Sequence, residues 1–283
     1  MKKLILSFIA LFSLVAAGFA QDLISVADLT SKLKDPNFVV VSAELETEYA
    51  KVHITDAVNI PYTSLEKKAG AVEGLIISPE EMAKTLGAKG VSEKKTIVVY
   101  DEGAGKYAAR VYWILKHLGA TNVKILDGGL IAWKAARKPV TKNPTVAKTG
   151  TFATTVNNSI FASMKDVQTA VGNSKIALVD FHEAAMFSGK DPKGKGRIAG
   201  SVNVDHTTLL DAKGLYKPKA ELEKIFGSVG ATSDKTIYVY CSSGARASKG
   251  FFALKSIIGY PNVKLFDGGL NEWVATPSNK VEK

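Results

Sequence analysis

The chain has one cysteine, four histidines, three tryptophans and a single long apolar run, and each scarcity excludes something. One cysteine rules out an internal disulfide framework and any zinc site that needs several thiolates. His53, His117 and His206 are too widely spaced to suggest a metal cluster or a Cys-His nucleophile pair. After the opening segment no stretch reaches the length of apolar residues that a bilayer requires, so stable membrane insertion is not expected. The 37 Lys and Arg outnumber 27 Asp and Glu, but they form no basic stripe with interleaved aromatics, and nucleic acid is not an expected partner. With 283 residues, 46% hydrophobic and 23% charged, the chain is neither disordered nor a coiled coil, and it is long enough for two domains.

What is present begins with a leader. Lys2 and Lys3 precede an apolar run over 4–17 that ends in Gly18, Phe19 and Ala20, the pattern of a secretory signal peptide over 1–20 with Gln21 opening the mature chain. An exported, periplasmic protein is expected. Loss of Lys2 and Lys3 leaves a net +8, made of 17 basic and 15 acidic residues over 22–142 and 18 basic and 12 acidic over 143–283. The positive excess lies in the half that holds the cysteine.

The strongest organisational signal is a repeat. Lys95-Thr96-Ile97-Val98-Val99-Tyr100 returns as Lys235-Thr236-Ile237-Tyr238-Val239-Tyr240, and Asp127-Gly128-Gly129-Leu130 as Asp267-Gly268-Gly269-Leu270, both at an offset of 140. Over 95–133 there are 14 identities in 39 positions, and Trp133 answers Trp273. Upstream the offsets change, to 144 where Asn59 answers Asn203 and to 138 where Val41 answers Val179, so the second copy holds a six-residue insertion near 188–196. A period of this length is a domain duplication and not a solenoid. The expected division is domain one over 21–137, a linker over 138–150 with Pro139 and Pro144, and domain two over 151–283.

Within each copy, short β-rich runs (38–41, 97–100, 123–126; 176–179, 237–240, 263–266) alternate with segments of helical spacing. Ala108, Val111, Tyr112, Leu115 and Leu118 mark one helix, which Gly119 stops; a second apolar series runs from Phe251 to Ile258. Alternating strands and helices predict an α/β fold, each copy a mainly parallel sheet flanked by helices, with ligands beyond the carboxyl ends of the strands.

There, directly after the run 237–240, stands Cys241, followed by Ser242-Ser243-Gly244-Ala245-Arg246-Ala247. Small residues let the backbone curl so that successive N–H groups converge on the sulfur, and the helix that follows adds its positive end. Such a nest is expected to lower the thiol pKa, with Arg246 a fixed charge at the rim. A free cysteine is often a small buried hydrophobe, but Ser-Ser-Gly makes poor core. Lys249 reads as the start of an exposed helix. In the first copy the cysteine position is Asp101, within Asp101-Glu102-Gly103-Ala104-Gly105-Lys106. A carboxylate can cap a helix start but cannot do thiol chemistry, so one copy is active and the other is not.

These residues resemble the tandem-domain rhodaneses, the thiosulfate and 3-mercaptopyruvate sulfurtransferases, over essentially the whole mature chain. Cys241 to Arg246 is similar to the family's six-residue cysteine loop. The run from Val263 to Trp273 resembles its C-terminal signature, with Leu270 where an aromatic is usual, and the run from Tyr49 to Ala57 its N-terminal one, with Thr55-Asp56 in place of Pro-Gly. The resemblance implies a non-catalytic first domain and a catalytic second domain. In the latter the Cys241 thiolate takes a sulfane sulfur from a small anionic donor, becomes a persulfide and passes the sulfur to a thiophilic acceptor such as cyanide, a small thiol or a protein thiol. No metal and no organic cofactor is implied. Donor contacts are expected from the loop Ser242, Ser243, Gly244, Ala245, Arg246 and Ala247. His182 stands where the family has a donor-binding arginine, in Asp180-Phe181-His182, and Arg197 stands in place of a common histidine; both are carried as candidate donor contacts. Uncharged Ser242-Ser243 leaves Arg246 the main loop cation. Two other readings stay open: a sulfur carrier without turnover, and a phosphatase or arsenate reductase of the same fold. Against the latter, those enzymes place five residues between Cys and Arg, whereas Cys241 and Arg246 enclose four.

Overall fold

The structure, a computed structural model, describes residues 22–67, 70 and 72–283. The leader expected over 1–20 lies outside the described residues.

The first copy contributes β1 (Leu23–Ile24), β2 (Phe38–Ser42), β3 (His53–Ile54), β4 (Val58–Asn59), β5 (Thr96–Tyr100), β6 (Val123–Leu126) and β7 (Val140–Thr141). The second contributes β8 (Phe161–Ala162), β9 (Ile176–Asp180), β10 (Arg197–Ile198), β11 (Val202–Asn203), β12 (Thr236–Tyr240), β13 (Val263–Phe266) and β14 (Val281–Glu282). Two five-stranded sheets result, in the orders β1-β6-β5-β2-β4 and β11-β9-β12-β13-β8. Every pairing within them is parallel. The three central strands of each sheet are the apolar runs of the sequence to within a residue at either end. Strands covered on both faces read as unbroken apolar runs, which is why these were visible. The two-residue edge strands have no period to read.

Registers repeat between the copies. Val39 opposes Ile97 as Ala177 opposes Ile237, and Ile97 opposes Val123 as Ile237 opposes Val263. Two small antiparallel pairs, β3 with β7 and β10 with β14, close the far ends. Beside them Trp133 and Trp273, both buried as core residues, donate through Nε1 to Pro139 O and Lys280 O at 2.9 Å. The stretch expected to be a linker is strapped to the first copy, since β7 lies within it and Gly150 N donates to Gly87 O at 2.9 Å; just beyond it, in the stretch expected to open domain two, Asn157 N donates to His117 O at 2.7 Å.

The helices Lys106–His117 and Ala245–Phe252 pack on one another and form the seam between the copies. In the first, nine of twelve residues are buried, because it is covered by its own sheet on one side and by its counterpart on the other. The second widens after Phe252 into a π-helical turn, Ala253–Ile258, where the apolar spacing predicts one continuous helix. The seam carries charge. Arg110, 0% exposed, donates from Nε to Glu66 Oε1 at 2.8 Å and from Nη2 to Gly74 O at 2.8 Å, and pairs with Asp267 of the other copy at 2.7 Å. Asp267 in turn accepts from Ile76 N, and its equivalent Asp127 accepts from Tyr216 N, at 2.9 and 3.0 Å. Each copy thus holds a strand of backbone from its neighbour.

Removing one member of a buried pair strands the others. Replacement of Arg110 by Met is expected to cost about 3–5 kcal/mol in urea unfolding; a loss below about 1 kcal/mol, the size of a surface pair, would show that Glu66 and Asp267 reach water without it.

Candidate active site

The loop after β12 owes its shape to two close approaches. Gly244 begins the helix Ala245–Phe252 in the left-handed region, at φ +83°, and a Cβ there would lie 2.5 Å from Arg110 Nη1. Gly269, at φ +52°, follows β13; a Cβ there would lie 2.2 Å from Cys241 O. Only glycine fits either place. Leu270 N then donates to Cys241 O at 2.7 Å, as Leu130 N donates to Asp101 O at 2.9 Å in the first copy. The repeated Asp-Gly-Gly-Leu is therefore the clamp that holds the first residue of each loop.

Cys241 is 1% exposed. The amides of Ala247, Ser243 and Arg246 hydrogen-bond its sulfur, so the expected nest exists. Its expected effect on acidity does not prevail. Burial pushes the Cys241 thiol up, and those amides together with the Arg246 charge pull it down without overcoming that push. The reason is that stripping water from a thiolate costs more than three neutral amides and one partly solvated guanidinium return. In the first copy the same nest is filled: the Asp101 carboxylate accepts from the amides of Gly103, Gly105, Tyr107 and Ala108 at 3.0–3.2 Å.

The candidate residues separate into those that meet and those that do not. Ser242, Ser243, Gly244, Ala245, Arg246 and Ala247 wrap the sulfur as one turn. His182 joins them: its Nε2 is 2.7 Å from Ser242 Oγ and its Nδ1 is 2.7 Å from Asp180 Oδ1. Arg246 is engaged at the rim, donating from Nε to Glu183 Oε1 at 3.2 Å. Burial pushes Glu183 up, but its own amide, the His206 ring and the Arg246 charge more than offset this and hold it below the ordinary carboxylate value. Arg197 points elsewhere, to Glu282 Oε2 at 3.2 Å, to Phe187 O at 3.1 Å and across the Phe187 ring. Lys249 is not exposed: it is 2% accessible, its Cε would touch a Cβ at Gly105 of the first copy, and burial lowers it to about 8 against the pull of Asp101 and Asp205.

A small cleft of about 30 Å3 opens over the loop, lined by His182, Met186, Lys193, Gly194, Lys195, Gly196, Ser242 and Leu270. Four of these, 193–196, belong to the insertion of the second copy. Lys193 and Lys195 were not candidates in the sequence, where the insertion registered as a change of offset and its three lysines as part of a dispersed charge. Leu270, where an aromatic would project further, leaves the cleft room. Among the described residues no group of acidic, histidine and cysteine side chains could hold a metal ion, and no helix is long and apolar enough to cross a membrane.

Two parallel sheets, one with a cysteine in its strand-end nest and one with a carboxylate in the same place, define a duplicated α/β protein with one thiol at the end of a strand. The model of the rhodanese-like domain matches residues 25–136 and 163–276. The chain is 30% identical over 269 residues to the 3-mercaptopyruvate sulfurtransferase of Escherichia coli K12, covering 90% of this chain and 95% of that one. It is 32% identical over 240 residues to a protein of Synechococcus elongatus assigned as a thiosulfate sulfurtransferase, covering 81% of this chain and 74% of that one. The solved anaerobic ergothioneine biosynthesis enzyme from Chlorobium limicola shares the fold at TM-score 0.85 and 21% identity, over 93% of this chain and 70% of that one. The chain belongs to the rhodanese family and is a sulfurtransferase.

The thiol's raised pKa makes a testable statement about the free enzyme. Only the thiolate alkylates, so the rate of iodoacetamide labelling at Cys241 should climb with pH through neutrality and continue to climb above pH 9, the ordinary thiol value. A plateau reached below pH 7 would show that the nest wins over burial.

Proposed function

We propose that this sulfurtransferase works through a persulfide on Cys241, taking sulfane sulfur from thiosulfate or 3-mercaptopyruvate and passing it to cyanide or a thiol. One observation carries the reading: the sulfur of Cys241 is the focus of three backbone amides at a strand end, and its chain neighbour Ser242 lines a small cleft with His182, Lys193 and Lys195. In the first half-reaction the Cys241 sulfur bonds to the outer sulfur of the donor and the donor's own bond to that sulfur breaks. With thiosulfate the electron pair leaves as sulfite. The amides that hydrogen-bond the thiolate also face the charge that develops as sulfur moves between partners. The curated relatives support both donors, since one is named for 3-mercaptopyruvate and another for thiosulfate.

Donor recognition on this reading falls to the insertion. Arg246 is held by Glu183 and Arg197 by Glu282, whereas Lys193 and Lys195 line the cleft itself, with Lys195 Nζ donating to Asn271 Oδ1 at 2.9 Å. An ammonium group there meets the anionic end of a donor whose sulfur points to Cys241. The protein acts outside the cytoplasm on the strength of the leader pattern over 1–20, a placement that fractionation of cells expressing the full chain tests directly.

Incubation with thiosulfate should add the mass of one sulfur to the Cys241 peptide, cyanide should remove it, and the Cys241→Ser protein should show neither change. Sulfite release by the Ser variant at a comparable rate would overturn the persulfide. Replacing Lys193 and Lys195 together by Ala should lower the donor's kcat/KM by roughly tenfold to a hundredfold, the size of about 1.5–3 kcal/mol in charge-assisted contacts. An unchanged kcat/KM in that variant, with a large fall in Arg246→Ala, would return donor binding to the loop.

A further inference from the structure

Transfer from thiosulfate to cyanide moves no proton, yet the cleft is floored by a chain of groups suited to moving one. Asp180, 0% exposed at the end of β9, accepts through Oδ1 from the His182 amide at 2.7 Å and meets His182 Nδ1 at 2.7 Å. A carboxylate has only lone pairs, so the proton in that second contact belongs to Nδ1. In the neutral ring Nε2 is then a base, and the Ser242 hydroxyl, 2.7 Å away, donates to it. The backbone beneath is clamped as well: Asn203 Nδ2 donates to both Asp180 O and His182 O at 3.0 Å. His182 and Ser242 face the cleft, and Ser242 is bonded directly to Cys241 in the chain.

The first copy provides the control. Asn59 makes the same clamp, to Ser42 O and Glu44 O at 3.2 and 2.8 Å. At the positions of Asp180, His182 and Ser242 it has Ser42, Glu44 and Glu102, and the Glu44 carboxylate simply accepts from the Glu102 amide at 2.7 Å. No imidazole stands there, and the one hydroxyl, on Ser42, occupies the place of the Asp180 carboxylate. The carboxylate, imidazole and hydroxyl chain is built only in the copy that holds the cysteine.

We infer that Ser242, His182 and Asp180 form a proton relay that fits the site to a thiol acceptor, an inference that rests on the Cys241 persulfide proposed above. The acceptor sulfur bonds to the outer sulfur of the persulfide, the bond from that sulfur to Cys241 breaks, and its electron pair returns to Cys241 as thiolate. The acceptor's S–H proton passes through the Ser242 hydroxyl to His182 Nε2 and is returned through Ser242 to the transferred sulfur. Thiol plus anionic persulfide thus become a neutral small persulfide plus the Cys241 thiolate, with no proton gained or lost. Such a transfer is needed because an anionic outer sulfur repels an incoming thiolate; moving one proton from acceptor to outer sulfur leaves a single negative charge, on the attacking sulfur, so two anions never meet. Ser242 touches the substrate, whereas Asp180 acts through His182 by holding the ring in one tautomer.

The test separates acceptors within one protein. Wild type, Ser242→Ala, Ser242→Thr and His182→Gln are loaded with thiosulfate, the added sulfur on the Cys241 peptide is confirmed by mass, and discharge is timed with 2-mercaptoethanol and with cyanide. In Ser242→Ala and His182→Gln, the ratio of thiol discharge to cyanide discharge should fall by roughly a hundredfold from its wild-type value, whatever slowing the two acceptors share. Ser242→Thr, which keeps the hydroxyl, should restore thiol discharge, and the wild type should show a solvent deuterium isotope effect with the thiol and none with cyanide. Because the readout is the ratio of two acceptors in the same sample, partial misfolding of a variant cancels. Equal slowing with both acceptors, or undiminished thiol discharge in Ser242→Ala, would overturn the relay. Failure of the wild type to gain the sulfur would overturn the persulfide beneath it.

Discussion

One guanidinium without access to water organises the contact between the two copies. Arg110 comes from the copy that lacks the cysteine, and its partners are Glu66 and Gly74 of its own copy and Asp267 of the other. A buried charge has no solvent to fall back on, so those partners are fixed as firmly as the guanidinium itself. Gly244 sits against its Nη1, and the loop that carries Cys241 is thereby backed by a residue of the other copy. The traffic runs both ways, since Lys249, on the helix that follows the Cys241 loop, ends against Gly105 in the loop of Asp101. The first copy, with a carboxylate in its own nest, is one wall of the Cys241 loop of the second.

The seam also accounts for the character of the thiol. Packing the two helices against each other buries Cys241, and burial works against the charge that its amides favour. On the proposed reading such a site does not store a thiolate; it lowers the energy of negative charge that appears on sulfur while a bond is being exchanged, in a space where the amides have little water to compete with. The same dryness makes protons expensive to misplace. On the proposed reading a hydroxyl, an imidazole and a carboxylate in sequence are a physical answer to that constraint, and the first copy, which has no cysteine, keeps the asparagine clamp without that chain.

Much of this is legible in the sequence. The duplication, the central strands, the placement of Cys241 at a strand end and the Asp101 substitution rest on spacing and residue type. The repeated Asp-Gly-Gly-Leu was visible as a motif, but its purpose was not: that Gly269 must lack a Cβ because Cys241 O lies against it is a contact between residues 28 positions apart. Lys249 read as solvent-exposed because its own helix has a polar start, and it is buried because a second helix covers that face. Arg246 read as the free cation of the loop, but Glu183, 63 residues earlier, holds it. The insertion registered as a change of offset, whereas folded back it lines the cleft with Lys193 and Lys195.

The sequence by itself determined what is local: which runs become the central strands, that helical segments alternate with them, and that one copy has a cysteine where the other has a carboxylate. Those features depend on backbone preference and on neighbours a few residues away, and a period or a motif records them. Only the tertiary structure decided the electrostatics of the site. Whether Cys241 is favoured as an anion, which cation faces a donor and whether His182 meets Ser242 all depend on how much water is excluded and on which distant side chains exclude it, and these follow from the packing of two sheets and the two helices between them.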